Sequence, residues 1–214
     1  FDFCGTLIQF QTADRYVAFC LRQMPFSRKL QFRKNLIVML EKLKIFKLYN
    51  MLAPNNNWHK RMILKQLQGA TKQQCDTWAR DYFLQELLPN IVTPAVEKLK
   101  MHLVKNERVC ILSGGYGIYI KYFAEYFGVK EIYCSEIDFN NGVCTGKMDG
   151  MDCMKQNKVT RFSQIQTENS KVIFYTDSPS DIPLLEIVDQ PIVFSKNAPQ
   201  KWATQRNYKQ IVWK

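Results

Sequence analysis

The residues best suited to chemistry stand in four short segments, widely separated along the 214 residues. The first is Phe1-Asp2-Phe3-Cys4-Gly5-Thr6-Leu7, where a hydrophobic run delivers a carboxylate and breaks at once into Gly-Thr. In an open α/β sheet, reactive groups collect at the carboxyl ends of strands, where the chain leaves the sheet. Asp2 placed there would serve as nucleophile or metal ligand, with Gly5 allowing a sharp turn and Thr6 orienting the carboxylate by a hydrogen bond. The second segment is Ser113-Gly114-Gly115, which follows a buried strand and offers a hydroxyl and backbone N–H groups to an anion. The third holds Lys158 at the opening of a helix, where a cation is electrostatically misplaced unless something anionic compensates it. The fourth is Asp177-Ser178-Pro179-Ser180-Asp181, two carboxylates beyond a hydrophobic strand, a set of hard oxygen donors that suits Mg²⁺. Each segment alone reads equally well as a turn, a cap or a solvated side chain.

The elements around these segments must bring them together. The apolar fraction of 46% and charged fraction of 23% are those of a globular protein. The length fits one domain, or one domain carrying a smaller insertion. No run of eighteen apolar residues and no secretory leader is visible. The chain opens on Phe1 and is expected to be a piece of a longer polypeptide. Seven cysteines without a CxxC pair suit reduced thiols in the cytoplasm, which is the expected location. With His59 and His102 the only histidines, catalysis built on a histidine base is not expected, and His102 reads as a surface residue.

In chain order, Thr12 is placed to cap a helix over residues 14–21, and Pro25 interrupts it. Residues 36–52 carry apolar side chains at threes and fours among lysines, as in an amphipathic helix. Asn55-Asn56-Asn57 signals a loop. A helix over residues 58–67 stops at Gly69, and Thr71 caps another that runs to about Leu88. Nothing between residues 14 and 90 reads as a strand. Beyond it come a helix over 95–104, a strand over 108–112, a tight turn at 113–115, a helix over 118–127 ending at Gly128 and a strand over 131–135. A polar hairpin to about Gly146 follows, then a helix over 159–165, a strand over 171–175, a helix over 182–188 and a last strand over 191–194. Strands alternating with helices predict an α/β fold with a doubly wound parallel sheet.

In this order the four segments resemble the motifs of the haloacid dehalogenase-like hydrolase superfamily, in its phosphoserine-phosphatase-like branch with a helical cap. The first motif, Asp-x-Asp-x-Thr, stands here as Asp2-Phe3-Cys4-Gly5-Thr6. The second motif's Ser matches Ser113, the third motif's Lys matches Lys158, and the fourth motif's acidic pair matches Asp177 and Asp181. The resemblance covers essentially the whole chain. It implies a Rossmann-like core made of residues 1–13 and 91–214, with an all-helical cap inserted at 14–90. It implies a Mg²⁺-dependent phosphatase that cleaves a phosphomonoester of a small anionic metabolite, such as a sugar or polyol phosphate, through an aspartyl-phosphate on Asp2. Mg²⁺ would be held by Asp2, Asp177 and the main-chain carbonyl of Cys4, with Asp181 alongside or acting through water. Thr6, Ser113, Gly114 and Lys158 would bind the substrate, and Lys158 would also stabilise the transferring phosphoryl group.

Cys4 departs from the pattern, because the family's phosphatases place a second Asp there as general acid and base. A thiol with an ordinary pKa of ~8.5 is a poor substitute beside two carboxylates, and general acid–base help is worth ~10²–10⁴-fold. The substitution predicts a preference for leaving groups that need little protonation, unless the substrate or a residue from the cap supplies the proton. It also leaves open a catalytically impaired phosphate-binding or regulatory module of the same fold.

Charge points to anionic partners. Residues 14–90 hold 14 Lys+Arg against 5 Asp+Glu, net +9 of the chain's +11. This admits a small phosphorylated substrate, or a phospholipid headgroup met by peripheral contact with a membrane surface. No base-reading or stacking motif accompanies the charge, so no nucleic-acid partner is expected; oligomeric state stays open. If the basic segment captures an anionic substrate, raising salt should increase KM more than it lowers kcat, since exposed charges are screened within ~10 Å at 0.1 M. Neutralising Arg28/Lys29 or Arg33/Lys34 should act likewise; a salt-independent KM would count against capture by charge.

Overall fold

The computed structural model describes residues 1–24, 57–166 and 170–214. The expected break at Pro25, the amphipathic run at 36–52, Asn55, Asn56 and the basic pairs at 28/29 and 33/34 lie outside the described residues.

The architecture is α/β, with helices packed against largely parallel strands. Strand β1 (Cys110–Tyr116) pairs in parallel with β2 (Glu131–Asn140), which turns back antiparallel onto β3 (Val143–Asp149). A second set, β4 (Ile173–Thr176), β5 (Gln190–Lys196) and β6 (Lys209–Trp213), is parallel throughout. The first residues of the chain lie between the two sets. The Phe1 nitrogen donates to the Cys110 carbonyl (2.9 Å) and the Leu112 N–H to the Phe1 carbonyl (2.8 Å), two bonds that straddle one residue as in a parallel ladder. On the other side, the Asp2 N–H donates to the Tyr175 carbonyl (2.8 Å). Asp2 is thus fixed between β1 and β4. Ile192, Val193 and Phe194 are successive buried residues of β5, the continuous apolar run that a strand covered on both faces requires.

The helices are α1 (Thr12–Gln23), α2 (Trp58–Leu64), α3 (Lys72–Tyr82), α4 (Thr93–Val104), α5 (Gly117–Phe127), α6 (Gln156–Ile165), α7 (Ile182–Leu185) and α8 (Lys201–Gln205). Between residues 14 and 90 the described residues form no extended strand; the isolated bridge from Thr71 to Val143 ties this region to β3. Tyr16 of α1, Tyr82 of α3 and Tyr119 of α5 meet with ring centroids 5.1–5.6 Å apart, so the helical segment and the α/β part share one buried cluster. Among the described residues no helix is long and apolar enough to cross a membrane.

Several local expectations need correction. Thr12 is the first residue inside α1, with Gln11 at the cap position, and its hydroxyl meets Cys4 Sγ (2.9 Å) and Tyr119 Oη (2.7 Å) instead. Ser113, Gly114 and Gly115 are not a turn beyond the strand but its last part, where the register to β2 shifts between Ser113 and Tyr116. The α-helix expected to reach Leu88 ends at Tyr82 and continues as a π-helical turn, Phe83–Leu87, and a 3₁₀ turn, Leu88–Asn90. A proline at 89 removes the backbone donor that regular helix would need there. The strand expected to be last is followed by α8 and β6, and β6 adds an edge to the sheet. His102 is buried, with Nε2 2.8 Å from Tyr175 Oη and Nδ1 on Glu107.

Thr71 does cap α3. Its hydroxyl accepts from the Gln74 N–H (3.1 Å) while Gln74 Oε1 accepts from the Thr71 N–H (2.9 Å), a reciprocal box. Thr71→Ala should lower unfolding stability by about 1 kcal/mol, read as a reduced denaturant midpoint at unchanged slope.

Candidate active site

The floor of the site is a buried ion cluster. Lys158, in the first turn of α6, donates to Asp2 Oδ1 (2.8 Å) and to both carboxylate oxygens of Asp181 (2.9 Å each). Thr176, the last residue of β4, donates to Asp181 Oδ2 (2.6 Å). All four side chains are buried. Burial opposes the charge on Lys158, but the two carboxylates outweigh it and hold its pKa above the ordinary lysine value. The α6 N-terminus tolerates the cation because these anions lie on it. For Asp2 burial dominates and raises the pKa, with Lys158 pulling it down and Asp181 pushing it up.

Asp177 follows β4, near enough to Asp2 for the two carboxylates to influence each other. Thr6 Oγ1 donates to Asp177 Oδ1 (3.0 Å), so the Thr6 hydroxyl orients this carboxylate and not Asp2. Gly5 is the residue that makes the approach feasible. Its φ is +81°, and a Cβ there would stand 2.2 Å from Asp177 Oδ2. Burial, then the charge of Asp2, push the Asp177 pKa up to about 7, partly offset by the Thr6 bond.

Cys4 stays a neutral thiol: burial and the nearby Asp2 charge raise its pKa, against a smaller lowering by Thr12. Its sulfur lies 2.9 Å from Thr12 Oγ1 and 3.8 Å from Ser113 Oγ. Ser113 in turn accepts from the Gly115 N–H (3.1 Å), which orients its hydroxyl beside Asp2 and Cys4.

Of the residues singled out from sequence, Asp2, Cys4, Ser113, Gly114, Lys158 and Asp181 line one cavity, whereas Thr6 and Asp177 are bonded to each other beside the Gly5 turn. Above Asp2, Cys4, Ser113, Gly114 and Lys158 is a cavity of about 190 Å³. Its far wall is residues that sequence reasoning missed: Asp14 of α1, and Asn57, His59 and Lys60 at the start of α2. Lys60 is buried, donating to the Gly114 carbonyl, to Ser135 Oγ (3.1 Å) and to Asp152 Oδ1. Ser135 also donates to Asp152 (2.7 Å). The available signal was Trp58-His59-Lys60 opening a helix after a loop, but that pattern does not say which face turns inward.

A family model of the haloacid dehalogenase-like hydrolases matches residues 1–186. The chain belongs to this family. It is 24% identical over 143 residues to a histidinol-phosphatase from Neisseria meningitidis serogroup C (strain 8013), a match that spans 63% of this chain and 64% of that protein. Among solved structures, a protein of unknown function from Bordetella pertussis Tohama I superposes with a TM-score of 0.80 at 20% identity, covering 98% of this chain and 95% of that one. A phosphoserine phosphohydrolase-like protein from Francisella tularensis subsp. tularensis SCHU S4 gives 0.67 at 17% identity, covering 98% and 92%. A phospho-aspartyl intermediate analogue of phosphoserine phosphatase gives 0.58 at 16%, covering 100% and 91%. At these identities the superpositions establish the shared fold.

Haloacid dehalogenase-like phosphatases generally use Mg²⁺, and the donors here fit it. Among the described residues no group of three or more His, Cys, Asp or Glu side chains converges as a metal cluster. Two neighbouring carboxylates, Asp2 and Asp177, are instead the kind of hard oxygen donors that Mg²⁺ takes. Lys158 lies on Asp2 and Asp181, whereas burial and then the Asp2 charge disfavour the ionised form of Asp177, an effect that a bound cation would offset.

The sign of the resulting pH dependence follows. A carboxyl group with a raised folded-state pKa binds more protons folded than unfolded, so stability falls as pH rises from the ordinary value of 3.8 to about 7. The metal-free protein should therefore lose melting temperature across that window, and Mg²⁺ should restore more of it above the window than below. A flat profile, or equal Mg²⁺ stabilisation at both ends, would count against Asp177 as ligand.

Proposed function

We propose that this protein is a Mg²⁺-dependent phosphatase that hydrolyses a phosphomonoester of a small anionic metabolite through an aspartyl-phosphate on Asp2. The observation that carries this reading is Lys158, whose buried ammonium is gripped by Asp2 and Asp181 at the base of the cavity. A cation stationed beside a carboxylate nucleophile has two uses: it favours the ionised form of Asp2 against burial, and it meets the oxygens of an incoming phosphoryl group. Asp181 is assigned as the anchor of Lys158, since both its oxygens are occupied by that ammonium; this refines its expected part in metal binding. Ser113 Oγ and the Gly114 N–H take the remaining phosphoryl oxygens. Asp177 and the Cys4 carbonyl, with Asp2, hold the metal, while Thr6 fixes the Asp177 carboxylate. Bound Mg²⁺ would supply Lewis-acid charge that offsets repulsion between phosphate and carboxylate.

Residues 14–90 are assigned as the cap over a core of residues 1–13 and 91–214. Supporting this, Asp14, Asn57, His59 and Lys60 form the wall that faces Asp2. The names of the relatives, histidinol-phosphatase and phosphoserine phosphatase, favour a phosphorylated alcohol as substrate. The competing reading, a phosphate-binding module without turnover, is favoured by one observation, the protonated Cys4 thiol where the family's acid stands.

Incubation with a ³²P-labelled phosphomonoester and Mg²⁺ should trap a hydroxylamine-sensitive acyl phosphate on the wild-type chain. Asp2→Asn should give neither label nor turnover, and exhaustive chelation should abolish both until Mg²⁺ is returned. Turnover by Asp2→Asn would overturn the covalent route; phosphate binding without turnover by the wild type would establish the module.

A further inference from the structure

The cap wall of the cavity carries an ionisable pair that the reaction above leaves unused. His59, the second residue of α2, lines the same cavity as Asp2, and Asp14, in the first turn of α1, lines it beside His59. His59 Nδ1 lies 3.5 Å from Asp14 Oδ2. The side chain of His59 is 29% exposed, neither sealed into the core nor free on the surface.

The other ionisable groups around the cavity have parts in its floor or in the attachment of α2. Asp2 is the nucleophile. Lys158 and Asp181 hold each other. The three N–H donors of Lys60 match its three acceptors, Gly114, Ser135 and Asp152. The Cys4 thiol lies against Thr12, with its pKa pushed further up. What the cavity needs, a group that gives a proton to a departing alkoxide and later takes one from water, is what histidine does best near neutrality. A carboxylate beside one ring nitrogen, as Asp14 is beside His59 Nδ1, orients the imidazole.

We propose that His59, oriented by Asp14, is the catalytic acid and base of this site, acting from the cap where the family uses a carboxylate at position 4. The inference rests on the phosphatase reading and deepens it, because it lets a Cys4 enzyme cleave phosphates of ordinary alcohols. In the first step an Asp2 oxygen forms a bond to phosphorus and the bond from phosphorus to the ester oxygen breaks. The imidazolium proton on the nitrogen away from Asp14 passes to that oxygen, releasing the alcohol. In the second step the neutral imidazole takes a proton from water, the water oxygen bonds to phosphorus, and the bond to Asp2 breaks. Inorganic phosphate leaves with the imidazolium restored, so atoms and protons balance over one turnover. This reverses the expectation, drawn from there being two histidines, that a histidine has no part in catalysis.

The test compares kcat/KM, which reports the step that expels the leaving group, for an alkyl phosphate such as phosphoserine and for 4-nitrophenyl phosphate. His59→Gln should lower the alkyl value by ~10²–10⁴-fold and the aryl value far less, since nitrophenolate departs without a proton. Asp14→Asn should give a smaller loss with the same selectivity. Cys4→Asp added to His59→Gln should recover part of the alkyl activity, by returning a carboxylic acid beside Asp2. Aryl cleavage by each variant reports an intact fold and nucleophile. Equal losses on both esters would make His59 a binding or structural residue, and no loss on either would place the acid elsewhere; both outcomes overturn the proposal while leaving the phosphatase reading intact. A wild type that cleaves neither ester would overturn both.

Discussion

The arrangement depends on one buried cation. Lys158 is taken out of water, a transfer that costs several kcal/mol for an isolated ion, and is stable there because Asp2 and Asp181 surround it with charge-assisted hydrogen bonds. Lys158 and its two carboxylate partners come from three places in the chain: the helix at residue 158, the extended segment at residue 2 and the segment after β4. Removing any member would leave a buried charge without compensation, a loss of the order of 3–5 kcal/mol in comparable pairs. The cluster therefore restricts how the first strand, β4 and α6 can meet. It is a structural constraint and a reactive centre together.

Charge balance around that cluster accounts for the rest of the floor. One ammonium faces Asp2 and Asp181, and Asp177 is added to them at closer quarters than a side chain at position 5 would allow. Burial first, and then the neighbouring carboxylates, raise the pKa values of Asp2 and Asp177. The uncharged Cys4 fits the same balance: a further carboxylate between Asp2 and Ser113 would add to the repulsion, whereas a thiol packs against Thr12 without charge.

A second buried Lys–Asp pair ties the helical segment to the α/β part: Lys60 and Asp152 join α2 to the loop after β3, and Lys60 also holds the carbonyl of Gly114. The pair is nearly dry, so its geometry is held more tightly than that of a surface salt bridge. Fixing the first turn of α2 in this way also fixes His59, the neighbouring residue, over the cavity.

Local pattern was enough to read a good deal of this. Asp2-Phe3-Cys4-Gly5-Thr6, Ser113-Gly114, Lys158 and Asp177 with Asp181 stand out because each combines a reactive side chain with the end of a strand or start of a helix. Strand–helix alternation after residue 90 follows from apolar runs four or five residues long, and the Thr71 cap from spacing alone. What sequence could not supply was partnership between distant residues. Lys60 and Asp152 are 92 positions apart, and nothing in either neighbourhood marks the other. Thr6 was assigned to the wrong carboxylate, because its rotamer is decided by the left-handed turn at Gly5 and by Asp177 arriving from another strand. His102 looked like a surface residue of a lysine-rich helix, yet Tyr175 and Glu107 enclose it. Strand Lys209–Trp213 was missed because its alternating pattern is weak, and the exposed edge of β5 is what recruits it. The sequence by itself determined which groups could react and the order of the elements that carry them. The tertiary structure alone decided which of those groups meet, since burial, charge compensation and helix packing act across the chain and leave no periodic mark along it.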